Sequence, residues 1–235
     1  MRNELNYFNE KNLTRYDRWS KFISDHGFKT VLEIGVFKGL LAEPLLRNCG
    51  NIKKYIMVDP WRNMPDWNSK YNFSEDMESC FQETLKRTEF AKDKRDIKRG
   101  TTLEVIDEIN DRSVDFAYVD GDHSLRGVSI DLIKTWDKIS DTGYLAGHDL
   151  KSLCWKSDTD LEPYLVFPFA VYFAEAMNAK IYALPSSEFI ISKGEKGFEL
   201  IDLAGGRYKD TSILGQVYRL PFRYLLKIFR RKIGI

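Results

Sequence analysis

Apolar positions along the chain switch repeatedly between two periods. In NLTRYDRWSKFISDHG, Tyr16, Trp19, Phe22 and Ile23 fall on one helical face and Gly27 follows as a stop, so a helix is predicted over about 12–27. TVLEIGV is apolar, β-branched and too short for a helix, and reads as a strand. KGLLAEPLLRNC then reads as a helix whose start is fixed or kinked by Pro44. The alternation continues: strand KKYIMVDP, helix over about 75–90, strand RDIKRG, helix TLEVIDEIN, strand SVDFAYVD, helix SLRGVSIDLIKTWDKI, strand GYLAGHD. Beyond Leu150 the pattern loosens into a helix, FPFAVYFAEAMNA, and two further strands, KIYALP and EFIISKG, with the look of an antiparallel pair.

Strand alternating with helix implies a mostly parallel sheet of seven strands with helices on both faces, an α/β fold. Such sheets bind ligands beyond the carboxyl ends of their strands. Polar residues and glycines collect there: Glu33, Gly35 and Gly39 after the first strand, Asp59 after the second, Thr101 and Thr102 after the third, Asp120, Asp122 and His123 after the fourth, His148 and Asp149 after the fifth. The glycine spacing is G-x-x-x-G, not the G-x-G-x-x-G that cradles a pyrophosphate. Asp59, at a strand tip, is placed to accept from a ribose diol. The plainer alternative for Asp120, Asp122 and Asp149 is capping of the helices that follow. Trp61, Met64, Trp67 and Tyr71 read equally as a lid or acceptor wall and as a loop held down by its own aromatics; Trp19 and Trp136 read as core.

Composition narrows the class. The 235 residues suffice for one substantial core, and charge is nearly balanced at a net +1. The basic excess is local: residues 211–235 carry Arg219, Arg223, Lys227, Arg230, Arg231 and Lys232 and no acid, so the remainder is net acidic and no nucleic-acid partner is expected. Phe222, Leu225, Leu226, Phe229 and Ile233 share one face of that segment, an amphipathic basic helix suited to an anionic membrane surface, a second subunit or its own domain. Cys49, Cys80 and Cys154 show no metal-binding or disulfide spacing. The polar start and the lack of a long apolar run lead to the expectation of a cytoplasmic protein, with peripheral membrane contact through the tail left open. The domain reading is one unit over 1–210 (an N-terminal helical extension 1–27, a core 28–150 and a sheet-completing region 151–210), then the helix 211–235.

VLEIGVFKG, YIMVDPW, DFAYVDGDHS and GYLAGHD, in this order, resemble the successive motifs of class I S-adenosylmethionine-dependent methyltransferases. The branch most resembled holds the macrocin-type sugar O-methyltransferases and cephalosporin-hydroxylase-like proteins. The likeness covers about 28–150 and the AVYFAEA segment. It implies a Rossmann-like methyltransferase fold with S-adenosylmethionine as cofactor, contacted by Glu33, Gly35, Gly39, Asp59, Thr101, Thr102 and Asp120. It implies Asp120 and Asp149 as ligands of a divalent cation, Mg²⁺ or Mn²⁺, and His123 as general base. The family carries an acid where this chain has His148. His148 as a third ligand would tilt the choice away from Mg²⁺. The expected reaction is O-methylation of a sugar or other small polyhydroxylated acceptor, a glycan or nucleotide sugar among them, by a protein that could be a homo-oligomer. Two alternatives stay open: a methyltransferase-like module that binds without catalysis, and an NAD(P)-dependent oxidoreductase.

Overall fold

The computed structural model describes residues 5–65, 67, 76–151 and 166–208. Its strands are β1 (Thr30–Ile34), β2 (Lys54–Asp59), β3 (Arg95–Arg99), β4 (Val114–Val119), β5 (Ile139–Gly147), β6 (Ala179–Leu184), β7 (Glu188–Lys196) and β8 (Glu199–Asp202). They form one sheet in the order β3-β2-β1-β4-β5-β7-β6-β8. All neighbouring pairs are parallel except those made by β7, which runs antiparallel to β5 and β6. This is the Rossmann-like methyltransferase fold, with eight strands rather than the seven expected. β8 escaped the sequence pattern because it is four residues long and buries only Ile201.

The helices are α1 (Arg15–Asp25), α2 (Ala42–Asn48), α3 (Met77–Arg87), α4 (Thr102–Val105), α5 (Leu125–Lys138) and α6 (Val166–Ala176). Each start has a local reason. Thr14 and Asp17 form a capping box ahead of α1. Asp76 caps α3 and Ser124 caps α5. Pro44 sits in the first turn of α2, where its missing N–H breaks no helical bond. Gly27, at φ +66°, ends the turn after α1. The predicted helix over 102–110 is shorter, with α4 giving way to a 3₁₀ turn at Ile106–Glu108. β5 begins directly at the end of α5, four residues before the predicted strand, because Asp141 and Thr142 gave no strand pattern.

The central strands read as continuous apolar runs because both faces are covered. Tyr55, Met57, Phe116 and Tyr118 pack on one face with Trp19, Phe22 and Leu45 from α1 and α2. Leu32, Ile56, Ala117 and Leu145 pack on the other with Leu132, Trp136 and Phe173 from α5 and α6. Trp19 and Trp136 are core, as expected. Cys49 and Cys80 are buried free thiols. The basic tail 211–235, Tyr71 and Cys154 lie outside the described residues. Among the described residues no helix is long and apolar enough to cross a membrane.

Candidate functional site

Parallel register delivers the expected residues to one edge. Glu33 pairs with Met57 on one side and Tyr118 on the other, so the strands beside it end together. Gly35 then turns at φ +85°, and a Cβ there would fall 2.2 Å from the Asp120 carbonyl oxygen. Only glycine lets the β1 turn lie against the β4 turn at this distance. Gly39, at φ +72°, faces Thr84 of α3.

At the β1–β2 end the carboxylates are held by neutral donors. Glu33 is buried and accepts from the Tyr55 hydroxyl at 2.6 Å. Burial pushes its carboxyl up to about 8, only partly opposed by that hydrogen bond. Asp59 is buried and accepts from the backbone N–H of Phe37 at 2.9 Å and of Trp61 at 2.8 Å. Burial raises its pKa, against those backbone bonds. Trp61 is a latch rather than a lid: it is buried, packs at a tilt against Phe81, and donates its indole N–H to the Phe37 carbonyl.

Beside this end lies a cavity of about 270 Å³, lined by Arg62, Met64, Trp67, Thr101, Thr102, Asp122, Arg126 and Asp131 among others. Thr101 caps α4 through a box with Glu104, which also pairs with Arg62 at 2.6 Å. Thr102 donates to Asp131 at 2.5 Å, and burial lifts the Asp131 carboxyl to about 7. Asp122 accepts from the backbone N–H and hydroxyl of Ser124, a turn role at the start of α5.

At the β4–β5 end the partners are basic side chains. His123 is suspended between two carboxylates, Nε2 3.2 Å from Asp120 and Nδ1 3.3 Å from Asp149. His148 Nδ1 stands 3.7 Å and 3.6 Å from the same two groups. Lys151 pairs with Asp149 at 2.8 Å. Burial opposes the charges, but the imidazoles hold Asp120 well below the carboxylate range and bring Asp149 to about 2. Burial likewise works against the His148 charge, and the two aspartates outweigh it, raising that imidazole to about 9. Asp149 takes φ +59°, a left-handed conformation uncommon for a non-glycine residue. Ligand-type atoms of Asp120, His123 and Asp149 lie within 4.8 Å of one another. The structure thus gathers His123, as well as the His148 expected from sequence, with the two aspartates. Two carboxylate oxygens and one imidazole nitrogen are a donor set that suits a divalent cation.

Arg15, Tyr118, Lys151 and Glu188 complete this end and were missed from sequence, joined by the core residue Trp19. Arg15 of α1 donates Nε to Glu188 at 2.9 Å and Nη2 to the Tyr118 hydroxyl and to Asp120. Trp19 Nε1 donates to Glu188 at 2.5 Å, and Tyr118 to the same oxygen at 3.1 Å. Glu188 gave the one usable signal, an acid opening the apolar run EFIIS. Arg15 and Lys151 look like surface residues in sequence.

A family model described as a methyltransferase domain matches residues 32–150. No curated protein matches the chain. Among solved structures, the chain is similar to a Staphylococcus aureus protein assigned as a caffeoyl-CoA O-methyltransferase, with TM-score 0.59 and 14% identity over 77% of this chain and 83% of that one. It is similar also to an O-methyltransferase from Bacillus cereus in complex with S-adenosylhomocysteine, with TM-score 0.55 and 16% identity over 82% and 90%. A Podospora anserina methyltransferase bound to S-adenosylhomocysteine gives 0.54 and 11% over 81% and 86%. At these identities the structural likeness speaks for the fold.

Proposed function

The chain belongs to the methyltransferase-domain family, and from that premise we propose that it transfers a methyl group from S-adenosylmethionine to a hydroxyl of a sugar or other small polyhydroxylated acceptor. The observation that carries this reading is convergence: Gly35, Asp59, Thr101, Thr102 and Asp120 come from four neighbouring strand ends and border one edge with a cavity of about 270 Å³. The purine would enter that cavity, between Thr102 and Met64. The ribose would sit against Asp59, whose carboxylate already fixes the Phe37 and Trp61 backbone. The amino-acid part would cross the Gly35 turn towards Asp120.

In-line attack of an acceptor oxygen on the sulfonium methyl requires chiefly positioning and removal of one proton. His123 is the residue placed to take it. Asp149 orients the ring through Nδ1, and Nε2 becomes available when the acceptor hydroxyl displaces the 3.2 Å contact with Asp120. A second reading rests on the cluster itself, in which Asp120, His123 and Asp149 hold a divalent cation. Such a cation, when bound, lowers the pKa of a coordinated hydroxyl. The net-acidic composition outside residues 211–235 favours a small acceptor over nucleic acid.

The deciding experiment is production of S-adenosylhomocysteine against a panel of glycans and nucleotide sugars, with and without chelator. Turnover that resists chelation supports His123 as base. Turnover lost to chelator and restored by Mn²⁺ or Mg²⁺ supports the cation. A chain that binds the cofactor but turns over no acceptor favours the non-catalytic module, and binding of NAD(P) instead would overturn the reading.

A further inference from the structure

Two cations at the β4–β5 end lie outside the family-matched residues 32–150, Lys151 just beyond them and Arg15, which opens α1 and reaches across the sheet edge to β4 and β7. Its guanidinium is fixed at two nitrogens. Nε donates to Glu188 at 2.9 Å, and Nη2 to the Tyr118 hydroxyl and, at 3.3 Å, to Asp120. A planar group held at two nitrogens has its third already aimed. That third nitrogen, Nη1, donates to no group among the described residues, and 29% of the side chain is exposed beside the 26% exposed Asp120.

The support beneath Arg15 is built. Glu188 is fully buried, and one of its oxygens gathers Arg15, Trp19 and Tyr118 while the other has no partner among the described residues. Burying a carboxylate in this way is costly unless a cation faces it. Glu188 is reached through two successive non-glycine residues with positive φ, Ser186 at 65° and Ser187 at 63°. Backbone strain of this kind persists where the surroundings over-determine it. Burial opposes the charge of Arg15, yet Tyr118, Asp120 and Glu188 hold it firmly protonated.

We propose that Arg15 is the anchor for the carboxylate of the cofactor's amino-acid moiety, its free Nη1 completing a charge-assisted pair from outside the family-matched segment. The assignment rests on the S-adenosylmethionine reading above. It has an electrostatic rationale: the amino-acid moiety must bring a carboxylate close to Asp120, and like charges there are tolerable only with a cation between them. It also gives the N-terminal helix a role in binding in addition to covering the sheet.

The test compares two nucleosides by calorimetry. S-adenosylhomocysteine carries the carboxylate; 5′-methylthioadenosine shares the purine, ribose and thioether and lacks it. Arg15→Met should weaken S-adenosylhomocysteine by ~10- to 150-fold, the range of a hydrogen bond to a charged group, and leave 5′-methylthioadenosine within about twofold. Equal losses for both ligands would make Arg15 a scaffold only, and no loss for either would likewise overturn the proposal. Arg15→Lys keeps the charge and serves if the methionine variant does not fold. It should weaken S-adenosylhomocysteine by up to ~10-fold more than 5′-methylthioadenosine, and equal losses for both ligands in this folded variant would overturn the anchor. Wild-type protein that binds neither nucleoside removes the methyltransferase reading itself, an outcome distinct from wild-type binding with unselective variants.

Discussion

The two ends of the ligand-facing edge handle buried carboxylates in opposite ways. At the β1–β2 end, Glu33 and Asp59 are satisfied by a phenol and by backbone N–H groups, and burial drives their pKa values up. At the β4–β5 end, Asp120 and Asp149 face His123, His148, Arg15 and Lys151, and their pKa values go down. The first arrangement is held by uncharged donors, which suits a neutral nucleoside. The second is a dense set of charges that a sulfonium amino acid and an ionising acceptor can perturb. On the proposed reading the first end holds the cofactor and the second carries the reaction, and each half can be broken separately.

The largest expected effect is at the reacting end. His123→Ala should lower turnover by ~10²–10⁴-fold while the dissociation constant for S-adenosylhomocysteine stays within a few-fold of wild type. Unchanged turnover would remove His123 from the chemistry.

Next comes the holding end. Asp59→Ala orphans the Phe37 and Trp61 backbone N–H groups, each at about 1–3 kcal/mol. Urea unfolding should therefore shift to lower midpoint, and cofactor binding should be lost with it. An unchanged midpoint would mean that those donors find other acceptors and that this end is less rigid than its hydrogen bonds imply.

The pH dependence of stability has opposite signs at the two ends. Glu33 sits at about 8 when folded against an ordinary 4.5, so the native state holds the proton more tightly. Its contribution is fully present below about 4.5 and is lost as pH rises through about 8, with a slope approaching ~1.4 kcal/mol per pH unit. Asp149, depressed to about 2, contributes above its ordinary 3.8 and loses that contribution as pH falls through about 2. His148, raised to about 9, adds its own loss as pH rises from 6.5 through 9. Glu33→Gln should flatten part of the decline in urea midpoint between pH 5 and 8 and leave the acid limb alone. An undiminished decline would assign it to His148 instead.

The smallest effect sharpens the boundary of the cavity. Thr101→Ala removes one side of the α4 capping box and should cost about 1 kcal/mol of stability, read as a lower melting temperature. A larger loss of cofactor affinity than of stability would show that Thr101 also touches the purine.

By itself the chain's pattern determined the sheet core, the covering helices, the cofactor-side edge and the residues at its strand tips, because periodicity and strand ends are local properties. TVLEI, KYIMVD and VDFAYV could be placed in a parallel sheet without coordinates, since a run buried on both faces leaves its mark in every residue. β8 could not, having one buried residue. What only the tertiary structure decided is partnership. Arg15 and Glu188 are 173 positions apart and share one ion pair. His123 lies between two aspartates because β4 and β5 are neighbours in register, and Asp59 is spent on the backbone of a turn 22 residues earlier. A charge acquires its role from the charges packed against it, and those come from distant segments that no local pattern connects.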